Sequence, residues 1–245
     1  MKASVMYLIL AVLTVFTATA TADFIAGTSF ENESLGSKYY DTGDPLSDHD
    51  LINNAGQSVV NSTASSTAAG DLGFAARFEY ENDYSGMTDG ADVGVMNTLT
   101  EVGYYPDGTQ GYQIGNTDGI YILTFDPVDL TGWTNVEFSI QLFVNETLWE
   151  TSDLIAITLN LDGTPFSLLD TTGQDIDYYY LEDQWNEFNL PIGDFTSSAV
   201  LEVKAWSEAT TERFFIDDIQ FTGEVPEPAS MILLSIGTLL AMRRK

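Results

Sequence analysis

The sequence predicts an all-β protein: a two-sheet antiparallel jelly-roll β-sandwich, flanked by an N-terminal signal peptide and a short C-terminal hydrophobic helix. Residues 23–223 show no long stretch of the 3.6-residue periodicity that marks amphipathic helices. They contain instead short segments rich in aromatic and β-branched residues, separated by Gly, Asn, Asp and Pro. Many short strands with regular turn signals are typical of a sandwich.

Apolar and polar residues alternate along two of these segments, so each has one face that a core can bury. The alternation runs through Val136–Leu142 and again through Ile155–Leu161. Asp162-Gly163 then predicts a hairpin turn into the next strand. In contrast, residues 31–72 predict long loops with a short strand or two. The predicted strands are Phe74–Tyr80, Ile120–Phe125, Val136–Val144, Leu154–Leu161, Phe166–Leu169, Asn186–Leu190, Ala199–Trp206 and Arg213–Thr222.

The composition excludes several classes of function. The 245 residues include 37 Asp and Glu, 8 Lys and Arg, one His and no Cys, for a formal net charge of −29. Without Cys there is no disulfide scaffold, thiolate nucleophile, zinc–thiolate site or iron–sulfur cluster. One His excludes a multi-His metal site within one chain. The negative charge argues against nucleic acid as a partner, because phosphate recognition needs a basic patch.

The first 22 residues have the three parts of a secretory signal peptide. A positive charge at Lys2 precedes an apolar run over residues 5–16, and Ala20-Thr21-Ala22 provides the small residues of a cleavage site. We expect cleavage before Asp23. The apolar run is short for a transmembrane helix, and the alternative is an uncleaved N-terminal anchor.

The last 22 residues, 224–245, have a second three-part pattern. An apolar stretch, Ala229–Met242, separates a Pro-Glu-Pro motif from a basic end. As a helix it would be about 21 Å long, which is short of a bilayer core of about 30 Å. The motif and the basic end are Val225, Pro226, Glu227, Pro228, Arg243, Arg244 and Lys245.

This pattern resembles the PEP-CTERM tail of Gram-negative bacterial proteins handled by exosortases. The resemblance implies transient anchoring in the inner membrane, with the basic end on the cytoplasmic side. A membrane protease of the exosortase type then cuts near Pro226–Pro228, and the protein is released or transferred outside the cell. Such proteins are associated with exopolysaccharide and extracellular matrix. The alternative is an ordinary C-terminal anchor with a chance Pro-Glu-Pro.

The body between the two ends, predicted as one domain over residues 23–223, is more acidic than the whole chain. It keeps 35 of the 37 acids but only four of the eight bases, which leaves a net charge near −31. That charge opposes compaction, and salt or divalent cations would offset it.

Two segments of the body resemble the first and last strands of galactose-binding-like jelly rolls, a fold shared by many carbohydrate-binding modules. They are Thr28–Asn32 and Phe214–Phe221. The resemblance implies a structural Ca²⁺ that joins Glu31 to Asp217 or Asp218. Alternation in the last strand predicts that one of these aspartates points inward or lies at a strand end, where it needs a partner. A metal, Arg213 or backbone N–H groups would serve.

Asp41, Asp44, Asp48 and Asp50 form a second acidic segment, with Asp41 and Asp44 as candidate metal ligands. Their spacing does not match an EF-hand loop. The alternative is a solvated turn in which Asx side chains cap the backbone.

Tyr178, Tyr179 and Tyr180, together with Trp185, are the candidate sugar-binding residues. Neighbours on a strand alternate, so at least one of the three tyrosines should be exposed beside acidic groups. The alternative is that these rings fill the core or the sheet ends.

No catalytic residues are predicted. His49 is the only His, it lies in an Asp-rich turn, and no Gly-x-Ser-x-Gly elbow is present. The expected function is therefore a secreted, non-catalytic matrix or cell-surface protein that binds exopolysaccharide through a calcium-stabilised jelly roll. The alternatives are a secreted polysaccharide hydrolase and a purely structural surface protein without a small ligand.

Overall fold

Two antiparallel β-sheets pack face to face around one main apolar core. The computed structural model describes residues 22–64, 71–81, 87, 90–145, 147–194 and 196–225. The predicted C-terminal hydrophobic helix, and all but the last residue of the predicted signal peptide, lie outside the described residues. Within the described ranges, no helix has the length and apolar character that a membrane crossing requires.

The strands follow one another along the chain with a single four-residue helix, α1 (Leu99–Val102), among the described residues. A 3₁₀ turn (Ile176–Tyr179) precedes β11. The strands are β1 (Asp23–Thr28), β2 (His49–Asp50), β3 (Phe74–Glu79), β4 (Gly94–Met96), β5 (Gly111–Gly115), β6 (Ile120–Phe125), β7 (Val128–Asp129), β8 (Thr134–Val144), β9 (Leu154–Leu161), β10 (Thr164–Asp170), β11 (Trp185–Gly193), β12 (Ser198–Trp206) and β13 (Arg213–Glu224).

The first sheet has the strand order β11-β8-β13-β5-β4, with β1 also paired to β13. The second has the order β10-β9-β12-β6-β3-β2, with β7 paired to β12. Every strand pairing is antiparallel. The predicted all-β, two-sheet antiparallel fold is therefore confirmed.

Strand β8 shows how the sequence builds the core. Val136, Phe138 and Ile140 are buried, whereas Glu137 is exposed and Ser139 is partly exposed. This is the alternation that the sequence predicts for a strand with one buried face. The buried rings of Phe138 and Phe221 on the neighbouring β13 lie 4.9 Å apart between centroids.

The predicted hairpin turn between β9 and β10 is also confirmed. Asp162 and Gly163 both have positive φ angles, 49° and 80°. Two central residues with positive φ define the type I′ turn, whose twist matches that of the flanking strands.

The predicted position of the first strand is wrong, because β1 ends where that prediction begins. The backbone turns at Phe30, which has a φ of 60°, and the N–H of Glu33 donates to the Phe30 carbonyl at 3.1 Å. This turn directs the Phe30 ring into the core, where it contacts Phe74 edge-on at 5.5 Å. Thr28–Asn32 is therefore the end of a strand followed by a turn.

Strand β13 contains a bulge at Asp217 and Asp218. Asp218 has a φ of 48°, and the register with β8 shifts between Asp217 and Gln220. The extra residue lets Ile216 and Ile219 both enter the main core. A regular strand would have pointed them to opposite faces. One aspartate, Asp217, is buried and has a backbone N–H as partner, as the alternation predicted, but it lies under a loop and not in the main core.

The bulge also marks a change of neighbour along one edge of β13. Residues 213–216 of that strand pair with β5, and residues 219–223 pair with β1. On the outer face nearby, Val102 of α1 and Tyr105 cover the buried rings of Phe143 and Phe215. The sequence predicted none of α1, β4 and β5.

Candidate functional site

An acidic cavity of about 170 Å³ lies beside the bulge in β13. Glu31 reaches it from the turn after β1, and Asp218 reaches it from the bulge itself. Asp71 and Asp107 also line it, from the segment before β3 and from the loop between α1 and β5. The structure thus brings together Glu31 and Asp218, which the sequence singled out, and adds two aspartates that it did not.

The Glu31 carboxylate is oriented by the loop that precedes β5. Its Oε1 accepts the backbone N–H groups of Thr109 and Gln110, at 2.7 and 2.8 Å. Its Oε2 accepts the Thr109 hydroxyl at 3.1 Å. Gly108, with a φ of 81°, passes so close that a Cβ there would collide with the carboxylate. These contacts fix the carboxylate in one orientation. A metal at this position would therefore bind oxygens that already accept hydrogen bonds from the loop.

Asp217 lies on the outer face of the first sheet, fully buried beneath the same loop. Its Oδ2 accepts the backbone N–H of Asp107 at 2.9 Å. Its Oδ1 is buried with no hydrogen-bond partner among the described residues. Desolvation raises the pKa of Asp217 to about 7, and nearby aspartate charges add to the effect. Arg213, the alternative partner considered from the sequence, pairs instead with Asp92 and Glu101.

The Asp41–Asp50 cluster (Asp41, Asp44, Asp48 and Asp50) has partners within the protein. Asp41 Oδ1 accepts the N–H of Gly43 at 2.8 Å, and Asp44 Oδ1 accepts the N–H of Leu46 at 3.0 Å. Both are Asx turns, the predicted alternative to metal binding. The metal site at Asp41 and Asp44 stays a prediction, and both carboxylates already accept backbone hydrogen bonds.

Arg77 and His49 lie against the carboxylates of this cluster. Arg77 lies 3.7 Å from Asp48 and 3.5 Å from Asp50. His49 contacts the Asp41 carboxylate through Nε2 at 3.0 Å and the Ser47 carbonyl through Nδ1 at 2.7 Å. Both partners are hydrogen-bond acceptors, an arrangement that favours the protonated imidazole. Burial lowers the pKa of His49, but the carbonyl and the carboxylate more than offset this, and the pKa lies above its ordinary value.

Of the candidate sugar-binding residues, Tyr178 and Tyr180 are the most exposed, at 74% and 82%. They flank Tyr179, whose ring packs against the core and whose hydroxyl donates to the Asp170 carbonyl at 2.9 Å. Tyr180 has a φ of 54°, which ends the 3₁₀ turn. The predicted exposure of at least one tyrosine is confirmed.

Trp185 does not belong to this exposed surface. Its ring packs against Tyr105 and Phe143, with centroids 6.0 and 5.6 Å away. Its indole N–H donates to the Tyr104 carbonyl at 2.7 Å. The residue therefore fastens the loop after α1 to the outer face of the first sheet.

Sequence reasoning missed a further set of carboxylates, the two-turn cluster: Glu150, Asp153 and Glu212. One oxygen from each lies within 4.8 Å of the others. Asp153 and Glu212 are buried, and Glu150 is exposed. Desolvation raises the pKa of Asp153 to about 7 and raises that of Glu212 as well. No local sequence pattern marks this cluster, because the pairing of β8 with β13 brings together two turns that are far apart in the sequence.

Comparison with known proteins identifies the tail of the chain. The model of the PEP-CTERM protein-sorting motif matches residues 224–245, which confirms the predicted sorting tail. This motif indicates an exported protein that is sorted through exosortase to the cell surface. No curated protein matches the chain.

Several solved structures are similar to the body. A family 61 carbohydrate-binding module in complex with β-1,4-galactotriose is 16% identical, with 55% of this chain and 86% of that chain covered and a TM-score of 0.40. The C-terminal family 22 carbohydrate-binding module of Clostridium thermocellum Xyn10B is 12% identical, with 56% and 83% covered and a TM-score of 0.33. A Stig cyclase from Fischerella sp. TAU is 13% identical, with 84% and 100% covered and a TM-score of 0.38. The neighbours thus include carbohydrate-binding modules, the class whose fold the sequence resembles. Likenesses this distant assign no ligand or activity.

Proposed function

We propose that the chain is a non-catalytic matrix or cell-surface protein of a Gram-negative bacterium whose calcium-stabilised jelly roll binds exopolysaccharide. The exosortase tail anchors it transiently in the inner membrane before processing. The observation that carries the proposal is the pair of exposed rings, Tyr178 and Tyr180, on one short turn.

The turn that presents these rings is held by specific hydrogen bonds. The Asp175 side chain accepts the N–H of Asp177 at 3.0 Å, and Gln184 Nε2 donates to the Tyr180 carbonyl at 3.1 Å. Two amphipathic rings on a braced turn lose little conformational entropy when a ligand stacks on them. A polysaccharide chain, with apolar ring faces and peripheral hydroxyls, suits such a surface.

The acidic cavity beside β13 supports the calcium part of the proposal. Ca²⁺ takes six to eight oxygen ligands, and four acidic residues, Glu31, Asp71, Asp107 and Asp218, line this one small cavity. A cation there would join the turn after β1, the loop before β5 and the bulge of β13. It would also offset part of the net charge near −31 of residues 23–223.

The same charge bears on which polysaccharide binds. An acidic polymer is repelled by an acidic protein unless divalent cations bridge the two. Retention on an acidic polysaccharide is therefore expected to vanish in chelator, whereas stacking on a neutral polymer needs calcium only to hold the domain in shape.

Burial of two carboxyls with raised pKa values supports a non-catalytic role. A glycosidase needs a proton-donating carboxyl that faces the glycosidic bond. Asp153 and Asp217 both have pKa values raised to about 7, but both side chains are fully buried.

The test is retention of the full chain on a panel of neutral and acidic polysaccharides, in millimolar calcium and in chelator. The variant is Tyr178→Ala combined with Tyr180→Ala. Tyr104→Ala is the matched control, because that ring is also largely exposed but lies elsewhere. We expect retention on one polymer class in calcium, weakened about tenfold or more in the double variant, since each ring lost costs on the order of 1 kcal/mol.

Equal retention of the double variant and the wild type would remove the tyrosines from the proposal. If no polymer retains the wild type in calcium, the structural alternative without a small ligand replaces it.

A further inference from the structure

The two-turn cluster joins two tight turns that each hold one carboxylate by their own backbone. In the turn after β8, the Glu150 N–H donates to Asp153 Oδ2 at 2.8 Å, and the Asp153 N–H donates to the Glu150 carbonyl at 3.1 Å. In the turn before β13, Glu212 Oε2 accepts the N–H groups of Glu208 and Ala209, at 3.0 and 2.8 Å. Each carboxylate is therefore fixed in place.

Asp153 is 0% exposed, and one of its two carboxylate oxygens, Oδ1, has no hydrogen-bond partner among the described residues. Yet its carboxylate lies within 4.8 Å of oxygens from Glu150 and from Glu212, which is 2% exposed. A buried carboxylate that faces two others needs a cation or a proton, since burying unpaired charge is costly.

Among the described residues, no basic side chain forms an ion pair with this cluster. Arg213 is adjacent to Glu212 in sequence, but its guanidinium lies 2.7 Å from Asp92 and also pairs with Glu101. Among the described residues, none of the ion pairs involves Glu150, Asp153 or Glu212. Residues 23–223 contain only four Lys and Arg, so we expect a cation at this position to come from solution.

We propose that Glu150, Asp153 and Glu212 bind a calcium ion that clips the turn after β8 to the turn before β13. The donors are all carboxylate oxygens, which suits a hard cation and excludes a zinc site built on nitrogen or sulfur ligands. Three carboxylates leave positions for water, and Glu150, as the exposed member, gives the ion access to the site.

The clip would stabilise the end of the sandwich that also carries the exposed tyrosines. Trp149, beside Glu150, stacks on Phe214 of β13 with ring centroids 4.7 Å apart. The Asp183 N–H, three residues after Tyr180, donates to the Val144 carbonyl at 2.8 Å at the end of β8. An ion between the turns would therefore order the segment that flanks the proposed sugar-binding surface. The site itself does not depend on that surface.

The test is calorimetric titration of the metal-free full chain with calcium chloride. The variants are Glu212→Gln and Glu150→Gln, and Glu187→Gln is the matched control because it removes one exposed carboxylate elsewhere. Glu150→Gln changes an exposed side chain and keeps the experiment interpretable if Glu212→Gln misfolds. We expect each cluster variant to lose one calcium equivalent or to bind it about tenfold or more weakly, because affinity follows the number of charged ligands. The control should match the wild type.

Terbium provides a second measurement, since it replaces calcium and its emission is sensitised by a neighbouring indole. Emission that is excited through tryptophan should fall in Glu212→Gln and in Trp149→Phe but not in Glu187→Gln. Unchanged calcium stoichiometry and affinity in both cluster variants would overturn the proposal and assign the cluster to carboxyls that share a proton. Loss of calcium binding without loss of polysaccharide retention would separate this site from the proposed function.

Discussion

The Asp41–Asp50 cluster and the two-turn cluster are both built from acidic residues, but they differ in the partners that balance the charge of their carboxylates. In the first, Arg77, His49 and backbone N–H groups contact the carboxylates. In the second, two carboxylates are buried against a third with no basic side chain among their described contacts. The density of acids along the chain therefore does not distinguish the proposed cation site. Burial without a basic partner sets it apart.

Calcium removal has the largest expected effect on this comparison. Calcium at about 100 times its dissociation constant stabilises a protein by about 2.7 kcal/mol per site, or roughly 5–10 °C in melting temperature for a domain of this size. In Glu212→Gln the calcium-dependent shift in melting temperature should be smaller by the contribution of one site. In Asp44→Asn the shift should equal that of the wild type. Thermal denaturation in calcium and in chelator measures the shift. The comparison fails if Asp44→Asn loses the shift and Glu212→Gln retains it.

A pair of isosteric substitutions in chelator should change stability in opposite directions. Above the pKa of Asp153, Asp153→Asn removes an unpaired buried charge and should raise the free energy of unfolding by about 1 kcal/mol. Asp41→Asn removes the partner of His49 and should lower it by about 0.5–1 kcal/mol. Urea denaturation with unchanged m-values measures both. Changes of the same sign in the two variants would contradict the contrast between the clusters.

Neutralising Arg77 should have a small effect, although the side chain lies near three carboxylates. It is 42% exposed, and its contacts with Asp48, Asp50 and Glu79 are 3.5–3.8 Å long. Exposed pairs of this kind contribute little, so Arg77→Gln should lower the free energy of unfolding by about 0.5 kcal/mol or less. Arg213→Gln, which breaks a shorter and less exposed pair, is the reference and should cost more. An Arg77→Gln loss as large as that of Arg213→Gln would show that the first cluster depends on its arginine.

The smallest expected effect is on the titration of His49. As the only His of the chain, it gives a single imidazole signal in an NMR titration. Its pKa should lie above 6.5 and fall in Asp41→Asn. Because the folded-state pKa is raised, the Asp41–His49 pair stabilises the fold fully below about 6.5 and loses this contribution as the pH rises through the raised value. A His49 pKa that drops on addition of calcium would mean that the metal competes for Asp41, contrary to this account.

Elements that follow a single local pattern were predicted correctly from the sequence. Alternation in β8 and the Asp162-Gly163 turn predicted the strand, its buried face and the hairpin. The strand β5, in contrast, begins and ends with glycine, and its alternation covers only Tyr112, Gln113 and Ile114, which is too short to predict a strand. Helix α1 spans a single turn, which is too short for a periodic signal.

Local backbone conformation accounts for the errors beside the acidic cavity. Phe30 adopts the left-handed conformation, so the chain turns where a strand was predicted. Asp218 is also left-handed, and the bulge there changes which residues of β13 face the core. Of the residues predicted as calcium ligands, Glu31 and Asp218 line one cavity, whereas Asp217 lies under the adjacent loop.

The two-turn cluster could not be found from one sequence. Glu150 and Asp153 belong to one turn and Glu212 to another, and each is one acid among 37. Only the register of β8 against β13, which pairs Val144 with Phe214, places the two turns side by side.

A crystal structure of the full chain grown in calcium, with anomalous difference maps that locate the ion, would decide between the two clusters. We expect anomalous density between Glu150, Asp153 and Glu212, a second peak in the cavity of Glu31 and Asp218, and none among Asp41, Asp44, Asp48 and Asp50. Density in the Asp41–Asp50 cluster, with none between the two turns, would contradict this expectation.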